Sequence, residues 1–251
     1  MILAGGAGTR LAEETDARPK PMVEIGGRPL LWHIMRRYAD HGFNEFLIAL
    51  GYKGEVAKRY FLDYYELSGD VAVDLTSGEA RATVGPSEPW MVHLCDTGLH
   101  TNTGGRIKHL EPLLSDERFL LTYGDGLADV DLHELVRSHL AQGRIATLTV
   151  VRPPTRFGMV RFEDDRVASF AEKTAAGDEW INGGFMVFEP DVFRYLDGPE
   201  TSLEADALER LAAEGQLAGY RHEGFWQCMD SLRDKRVLEQ LWHDGDAPWM
   251  R

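Results

Sequence analysis

The alternation of short apolar runs with segments of helical period predicts an α/β fold built on a doubly wound, mostly parallel sheet. Three observations support it. Residues 1–4, 45–50, 119–122, 146–151 and 184–188 are apolar runs of strand length, the pattern of strands buried on both faces. Between them, apolar side chains recur every three or four positions, as on helices that cover a sheet. With 251 residues, 43% of them hydrophobic, the chain is long enough for one substantial core, so a single domain over residues 1–251 is expected.

Each element has its own local reason. After strand 1–4, a helix over 29–41 places Leu30, Ile34 and Tyr38 at spacing four, with Pro29 in its first turn and Gly42 as its stop. Strand 45–50 leads to a helix over 54–65 with Val56, Tyr60, Phe61 and Tyr64 on one face. Residues 71–75 alternate like a half-exposed strand, and 76–88, polar with glycine and proline, read as a loop or hairpin excursion. Strand 119–122 precedes a helix over 131–142, whose acidic start suits the helix dipole. Beyond strand 146–151 the pattern changes. Residues 160–162 and 167–172 read as shorter antiparallel strands, followed by strand 184–188 and a terminal helix over 231–243 that turns Leu232, Val237, Leu238 and Leu241 inward.

Charge and cysteine usage narrow the function. Asp and Glu outnumber Lys and Arg, 41 to 27, a net charge of −14 with modest basic clustering, so a nucleic-acid partner is disfavoured. No stretch approaches the roughly 18 apolar residues that cross a bilayer, and Gly5-Gly6 follows the first four residues where a signal peptide would continue its apolar run. Cys95 and Cys228 have no CxxC or zinc-ligand spacing. Reduced thiols and a cytoplasmic location, with no membrane partner, are expected.

The first strand runs straight into Gly5-Gly6-Ala7-Gly8-Thr9-Arg10-Leu11. Its three glycines leave backbone amides able to point at an anion, with no Cβ to block the approach. A glycine-rich turn is also an ordinary strand-to-helix connection, so its basic neighbours matter. Arg10 lies in the loop, and Arg18-Pro19-Lys20-Pro21-Met22 sets two cations on a stretch stiffened by prolines, which reduces the entropy lost on gripping phosphate. The loop ends Gly8-Thr9-Arg10 where a Walker loop needs Gly-Lys-Ser/Thr, and Leu11 stands where the dinucleotide pattern needs its last glycine. A P-loop ATPase and a dinucleotide-dependent dehydrogenase are both disfavoured.

Residues Leu3-Ala4-Gly5-Gly6-Ala7-Gly8-Thr9-Arg10-Leu11 with Arg18-Pro19-Lys20-Pro21-Met22-Val23 resemble the signature of the sugar-phosphate nucleotidyltransferases. Further blocks resemble the cytidylyltransferase branch that acts on glucose 1-phosphate. These are Glu24-Ile25-Gly26-Gly27-Arg28-Pro29, Trp32-His33-Ile34, Gly51-Tyr52-Lys53-Gly54, Asp96-Thr97-Gly98, Thr103-Gly104-Gly105-Arg106, Thr122-Tyr123-Gly124-Asp125-Gly126, Ile181-Asn182-Gly183-Gly184-Phe185, Gly224-Phe225-Trp226-Gln227 and Met229-Asp230. The resemblance spans essentially the whole chain. It departs at Arg18, where the family has lysine, at Thr174 and Cys228, where it has proline, and over 201–208, where it has a Trp-Glu-containing stretch; the family's first strand also carries a few more residues ahead of Ile2.

The resemblance implies a Rossmann-like nucleotidyltransferase fold, with residues to about 150 binding nucleotide and about 151–251 binding sugar phosphate. It implies an enzyme that joins α-D-glucose 1-phosphate to CTP on Mg2+, gives a CDP-sugar and pyrophosphate, and works as a homo-oligomer. The attacking phosphate oxygen is already anionic and needs no general base, so positioning and charge neutralisation do the work. Arg10 and Lys20 are the implied catalytic cations: Arg10 acts with the amides of Gly6, Gly8 and Thr9 on the β and γ phosphates, Lys20 on the phosphates flanking the reacting centre, and Arg18 behind them. Leu3, Gly5, Thr103, Gly104 and Arg106 would help to hold the nucleotide. Asp125 and Asp230 would be the magnesium ligands. Lys173 would bind the sugar phosphate, Glu172 and Asn182 its hydroxyls, with Tyr123, Gly183 and Trp226 beside them. Plainer roles stay open: a turn dipeptide for Asp125-Gly126, a helix cap for Asp230, helix-opening residues for Thr103 and Arg106, a surface pair for Glu172 and Lys173, and core packing for Trp226. His33, His93 and His222 form no ligand spacing. The same chemistry on another triphosphate or another sugar or cyclitol phosphate is the competing enzyme, and a non-catalytic nucleotide-sugar sensor the competing class. The retained Arg10, Lys20, Asp125, Lys173 and Asp230 favour catalysis.

Overall fold

The computed structural model describes every residue except 7, 9–11, 65–68, 83–87, 154–158, 164–165 and 172–179, and for 12–13, 82, 159–163 and 167–171 it describes the backbone alone. Among the described residues seven strands form one sheet: β1 (Ile2–Ala4), β2 (Glu45–Leu50), β3 (Met91–Asp96), β4 (Phe119–Tyr123), β5 (Ala146–Val151), β6 (Ile181–Phe188) and β7 (Leu217–His222). Their order across the sheet is β7-β5-β6-β4-β1-β2-β3. Strands β4, β1, β2 and β3 run parallel, as do β5 and β7, and β6 opposes both β5 and β4. Six strands therefore share one direction, as the mostly parallel expectation requires. The chain starts in the middle at β1, winds outward through β2 to β3, then returns to β4 on the other side of β1. The order reverses between β1 and β4, the point where open α/β sheets bind ligands beyond their strand ends.

Successive side chains point to opposite faces, and both faces are covered. Ile2, Ala4, Ile48, Leu50, Phe185 and Val187 enter one core, and Leu3, Ala49, Leu121, Met186 and Phe188 the other. The first core takes Leu30, Ile34 and Tyr38 from helix α1 (Leu30–Ala39), with α2 (Gly54–Leu62) beside it; the second takes Ile107 from α3 (Thr103–His109). Helix α4 (Leu132–Gln142) and the terminal helix α5 (Leu232–His243) send Leu132, Leu135 and Leu238 into the first core. Each such side chain contributes about 1.5–3 kcal/mol on burial.

The differences from the sequence expectations have local causes. Pro29 precedes α1 instead of opening it, because its extended backbone pairs with Glu24 in a two-residue ribbon. Helix α2 ends at Leu62, and residue 65 lies outside the described residues. The 71–75 segment forms a strand, Val71–Asp74, paired with Glu79–Ala82, but both its faces are exposed. Alternation alone does not say whether a core lies against it. In α5, Val237 is 41% exposed while Leu238 is fully buried, so the inward stripe is narrower than expected. Strands β3 and β7 lie at the two sheet edges, where His93, Asp96, Arg221 and His222 dilute the apolar signal.

Candidate active site

A cleft of about 440 Å³ opens at the reversal point, within the usual size of a small-molecule site. It brings together most of the expected residues: Leu3, Gly5, Gly6, Gly8, Lys20, Thr103, Arg106, Tyr123, Asp125 and Asp230 all line it. Thr9, Arg10, Glu172 and Lys173 lie outside the described residues.

At its centre Lys20 holds two carboxylates. Its ammonium donates to Asp125 Oδ2 at 2.9 Å and to Asp230 Oδ1 at 2.5 Å, with the residue only 8% exposed. Burial works against the charge, but the two aspartates outweigh it and hold the lysine above its ordinary pKa, so it stays a cation. Residues Lys20–Met22 form a single 3₁₀ turn, with Met22 N donating to Pro19 O at 2.8 Å, which fixes the direction of the lysine. Asp125 follows β4, and a short ribbon, Gly126–Ala128 against Trp226–Cys228, carries the distant Asp230 back to it. Met229 N donates to Asp125 O at 2.8 Å and completes the join. The cap of α5 is Ser231, not Asp230. Asp234, which the sequence did not single out, accepts from Asp230 N at 3.1 Å and from Ser231 Oγ at 2.8 Å and fixes the loop. Because the two carboxylate oxygens share one nitrogen, they lie closer together than the sum of 2.9 and 2.5 Å. Asp125 and Asp230 are the carboxylates that would hold a divalent cation here, since magnesium takes one or two carboxylates with waters and phosphates. Cys228 Sγ donates to Asp230 Oδ2 at 3.6 Å, but among the described residues no group of three His, Cys, Asp or Glu is placed to hold a metal.

The nucleotide side differs in part from expectation. Arg106 lines the cleft, but its guanidinium is committed to the wall: it donates to Gly5 O at 3.2 Å, Leu50 O at 3.1 Å, Gly98 O at 2.8 Å and Thr97 Oγ1 at 2.6 Å. A Cβ on Gly5 would lie 2.3 Å from that guanidinium, so only glycine lets the loop pass so close. Tyr52 N also donates to Gly5 O, at 3.1 Å. Thr103 begins α3, as the helix-opening alternative has it, and its Oγ1 donates to Glu204 at 2.7 Å. Gly104 does not line the cleft; it packs against Thr201, whose carbonyl would be 2.8 Å from an added Cβ. Arg18 pairs with Glu24 at 2.8 Å on the surface.

On the other side, Tyr123 donates to Glu204 Oε1 at 2.6 Å and accepts from Asn182 Nδ2 at 3.1 Å. Burial, then the neighbouring Glu204, raises the tyrosine pKa, so the hydroxyl keeps its proton. Gly184 has φ +84°, and an added Cβ there would lie 2.7 Å from the Tyr123 ring. Trp226 Nε1 donates to Gly183 O at 2.8 Å, which places the indole beside β6. Glu204, in a π-helical turn over Leu203–Leu208, escaped the sequence reading because its partners are remote in sequence.

Gly5, Gly6 and Gly8, the fixed Lys20 and the two converging carboxylates thus line one cleft. The nucleotidyl transferase family model matches residues 1–244. The chain belongs to that family. It is 48% identical to a glucose-1-phosphate cytidylyltransferase of Salmonella typhi over 250 residues, covering 99% of this chain and 97% of that protein. A probable glucose-1-phosphate cytidylyltransferase of Bacillus subtilis is 44% identical, with 99% and 98% covered. HddC from Yersinia pseudotuberculosis superposes with a TM-score of 0.68 at 22% identity, over 96% of this chain and 97% of that one. The inositol-1-phosphate CTP transferase of T. maritima gives 0.61 at 18%, with 96% and 93% covered. These structures share the α/β fold, and the family resemblance read from the glycine loop and the Gly-Asp-Gly block is borne out.

Proposed function

We propose that the protein joins α-D-glucose 1-phosphate to CTP, giving CDP-glucose and pyrophosphate. One observation carries the reading: Lys20 is held between Asp125 and Asp230 in a cleft floored by Gly5, Gly6 and Gly8. The Salmonella and Bacillus relatives supply the choice of CTP and glucose. In the reaction a phosphate oxygen of the sugar attacks the α-phosphorus, the bond to the β-phosphate oxygen breaks, and pyrophosphate leaves with the electron pair. Lys20 neutralises charge beside the reacting phosphorus, while Arg10 and the amides of Gly6, Gly8 and Thr9 receive the leaving pyrophosphate. Asp125 and Asp230 would hold Mg2+, which supplies Lewis-acid neutralisation of phosphate charge when bound. Lys173 takes the sugar phosphate, and Glu172, Asn182, Tyr123, Gly183 and Trp226 surround the sugar. On this reading the chain to about residue 150 serves the nucleotide and the rest the sugar phosphate. A cytoplasmic homo-oligomer is the expected setting.

The test is a matrix of four triphosphates against several sugar and cyclitol 1-phosphates, read by pyrophosphate release. The highest kcat/KM is expected for CTP with glucose 1-phosphate. A preference for ATP or GTP, or for a cyclitol phosphate, would reassign the substrates, and no release from any pair would leave a nucleotide-sugar sensor.

A further inference from the structure

The Tyr123–Glu204 contact leads beyond that reading, although it rests on it. Tyr123 has one hydroxyl proton, and it goes to Glu204 Oε1 at 2.6 Å. The tyrosine oxygen is left to accept, which it does from Asn182 Nδ2 at 3.1 Å. Asn182 is oriented from its other end, because its Oδ1 accepts from Gly184 N at 2.8 Å. The run from Gly184 N through Asn182 and Tyr123 to Glu204 therefore has one direction, set by a carboxylate that only accepts. The second Glu204 oxygen, Oε2, accepts from Thr103 Oγ1 at 2.7 Å and Ser202 Oγ at 3.1 Å, which ties this run to the opening of α3 in the same cleft. Irregular π-helical turns such as Leu203–Leu208 recur at functional sites.

We propose that Glu204 is a positioning residue that sets sugar selectivity: by fixing the direction of the run, it commits the second amide hydrogen of Asn182 as a donor to one sugar hydroxyl. A site built to donate to a hydroxyl discriminates against the analogue that lacks it, because its own polar group is then left without a partner. Glu204 itself touches no substrate in this scheme.

Glu204→Gln tests it selectively. The amide keeps one oxygen for Thr103 and Ser202, but its NH2 faces the Tyr123 oxygen as a donor, so the Tyr123 proton loses its acceptor and the hydroxyl no longer has a fixed direction toward Asn182. The KM for glucose 1-phosphate is expected to rise about tenfold, while that for CTP moves by less than about twofold. Among the 2-, 3-, 4- and 6-deoxyglucose 1-phosphates, one is expected to be rejected by the parent enzyme by about tenfold or more, and Glu204→Gln should erase that rejection. Tyr123→Phe removes both the donor to Glu204 and the acceptor for Asn182, so it should erase it too, and the double variant should be no worse than either single one. If Glu204→Gln does not fold, Tyr123→Phe carries the test. A parallel rise in both KM values, or a lowered Tm with the deoxy-sugar rejection intact, would make Glu204 a brace between α3 and the 203–208 turn. An inactive parent enzyme would instead overturn the proposed reaction, and the selectivity role with it.

Discussion

Lys20 Nζ and Asp230 Oδ1 lie 2.5 Å apart across 210 positions of the chain, the longest-range polar contact of the cleft's centre. The lysine also holds Asp125, so one ammonium bridges both carboxylates and leaves the trio with one net negative charge. A phosphate arriving beside them offers that ammonium a competing anion. Lys20→Ala is therefore expected to lower kcat/KM by about a hundredfold or more, equivalent to about 3 kcal/mol of transition-state stabilisation. Arg10→Ala should act similarly from the glycine loop. Steady-state rates near those of the parent enzyme would leave Lys20 only a structural partner of the two aspartates.

The carboxylates themselves separate metal from nucleotide. Asp125→Asn and Asp230→Asn keep the side-chain size and remove one charge each, so magnesium-dependent turnover should collapse in both. Binding of CTP without metal, followed by calorimetry, should survive through the glycine loop and its cations. Full turnover in Asp230→Asn would return that residue to a loop-fixing role and leave Asp125 as the one protein ligand.

Much of this site is legible in the sequence because it is local. The glycine loop, the proline-flanked Lys20 and the glycine-flanked Asp125 each announce themselves within a few residues. Asp230 reads as either ligand or cap, since both roles want an aspartate before a helix, and in the structure Ser231 takes the cap. Arg106 read as a residue for the base because motif position does not reveal that its guanidinium is committed to Gly5, Leu50 and Gly98 carbonyls. Glu204 is legible only as part of the 201–208 departure, not as a residue with a role. In Leu203-Glu204-Ala205-Asp206 it resembles any acidic helix start, and its bond to Tyr123 spans 81 positions. The fold followed the same division: central strands were clear from apolar runs, whereas edge strands β3 and β7 carry polar residues that solvent permits.

Arg106 offers a direct check on its structural role. Arg106→Met keeps the apolar stem and removes the donors to four carbonyls and to the Thr97 hydroxyl, which is expected to cost about 2–3 kcal/mol and lower the Tm by about 5–10 °C. Thermal denaturation measures it. An unchanged Tm with a raised KM for CTP would show instead that the guanidinium contacts the base.

A pH effect follows from His33. It is fully buried in α1, with Nε2 donating to Ile25 O at 2.8 Å and Nδ1 accepting from Trp249 Nε1 at 3.2 Å. Only the neutral ring can make both bonds. Burial pushes its pKa from 6.5 down to about 4. Between those values the unfolded chain binds a proton that the folded chain refuses, so stability present above pH 6.5 is lost as the pH falls toward 4, by on the order of 3 kcal/mol. Urea denaturation at pH 7 and pH 4.5 should show this loss, and His33→Gln should show less of it. An equal loss in both proteins would place the acid sensitivity elsewhere.

The most direct test of the central claim is to incubate the purified protein with CTP, α-D-glucose 1-phosphate and magnesium and to measure CDP-glucose and pyrophosphate together. The account predicts equal amounts of the two products from the parent enzyme and at most about one per cent of that rate from Lys20→Ala and from Asp230→Asn. Neither product from the parent enzyme, or undiminished formation in those variants, would contradict it.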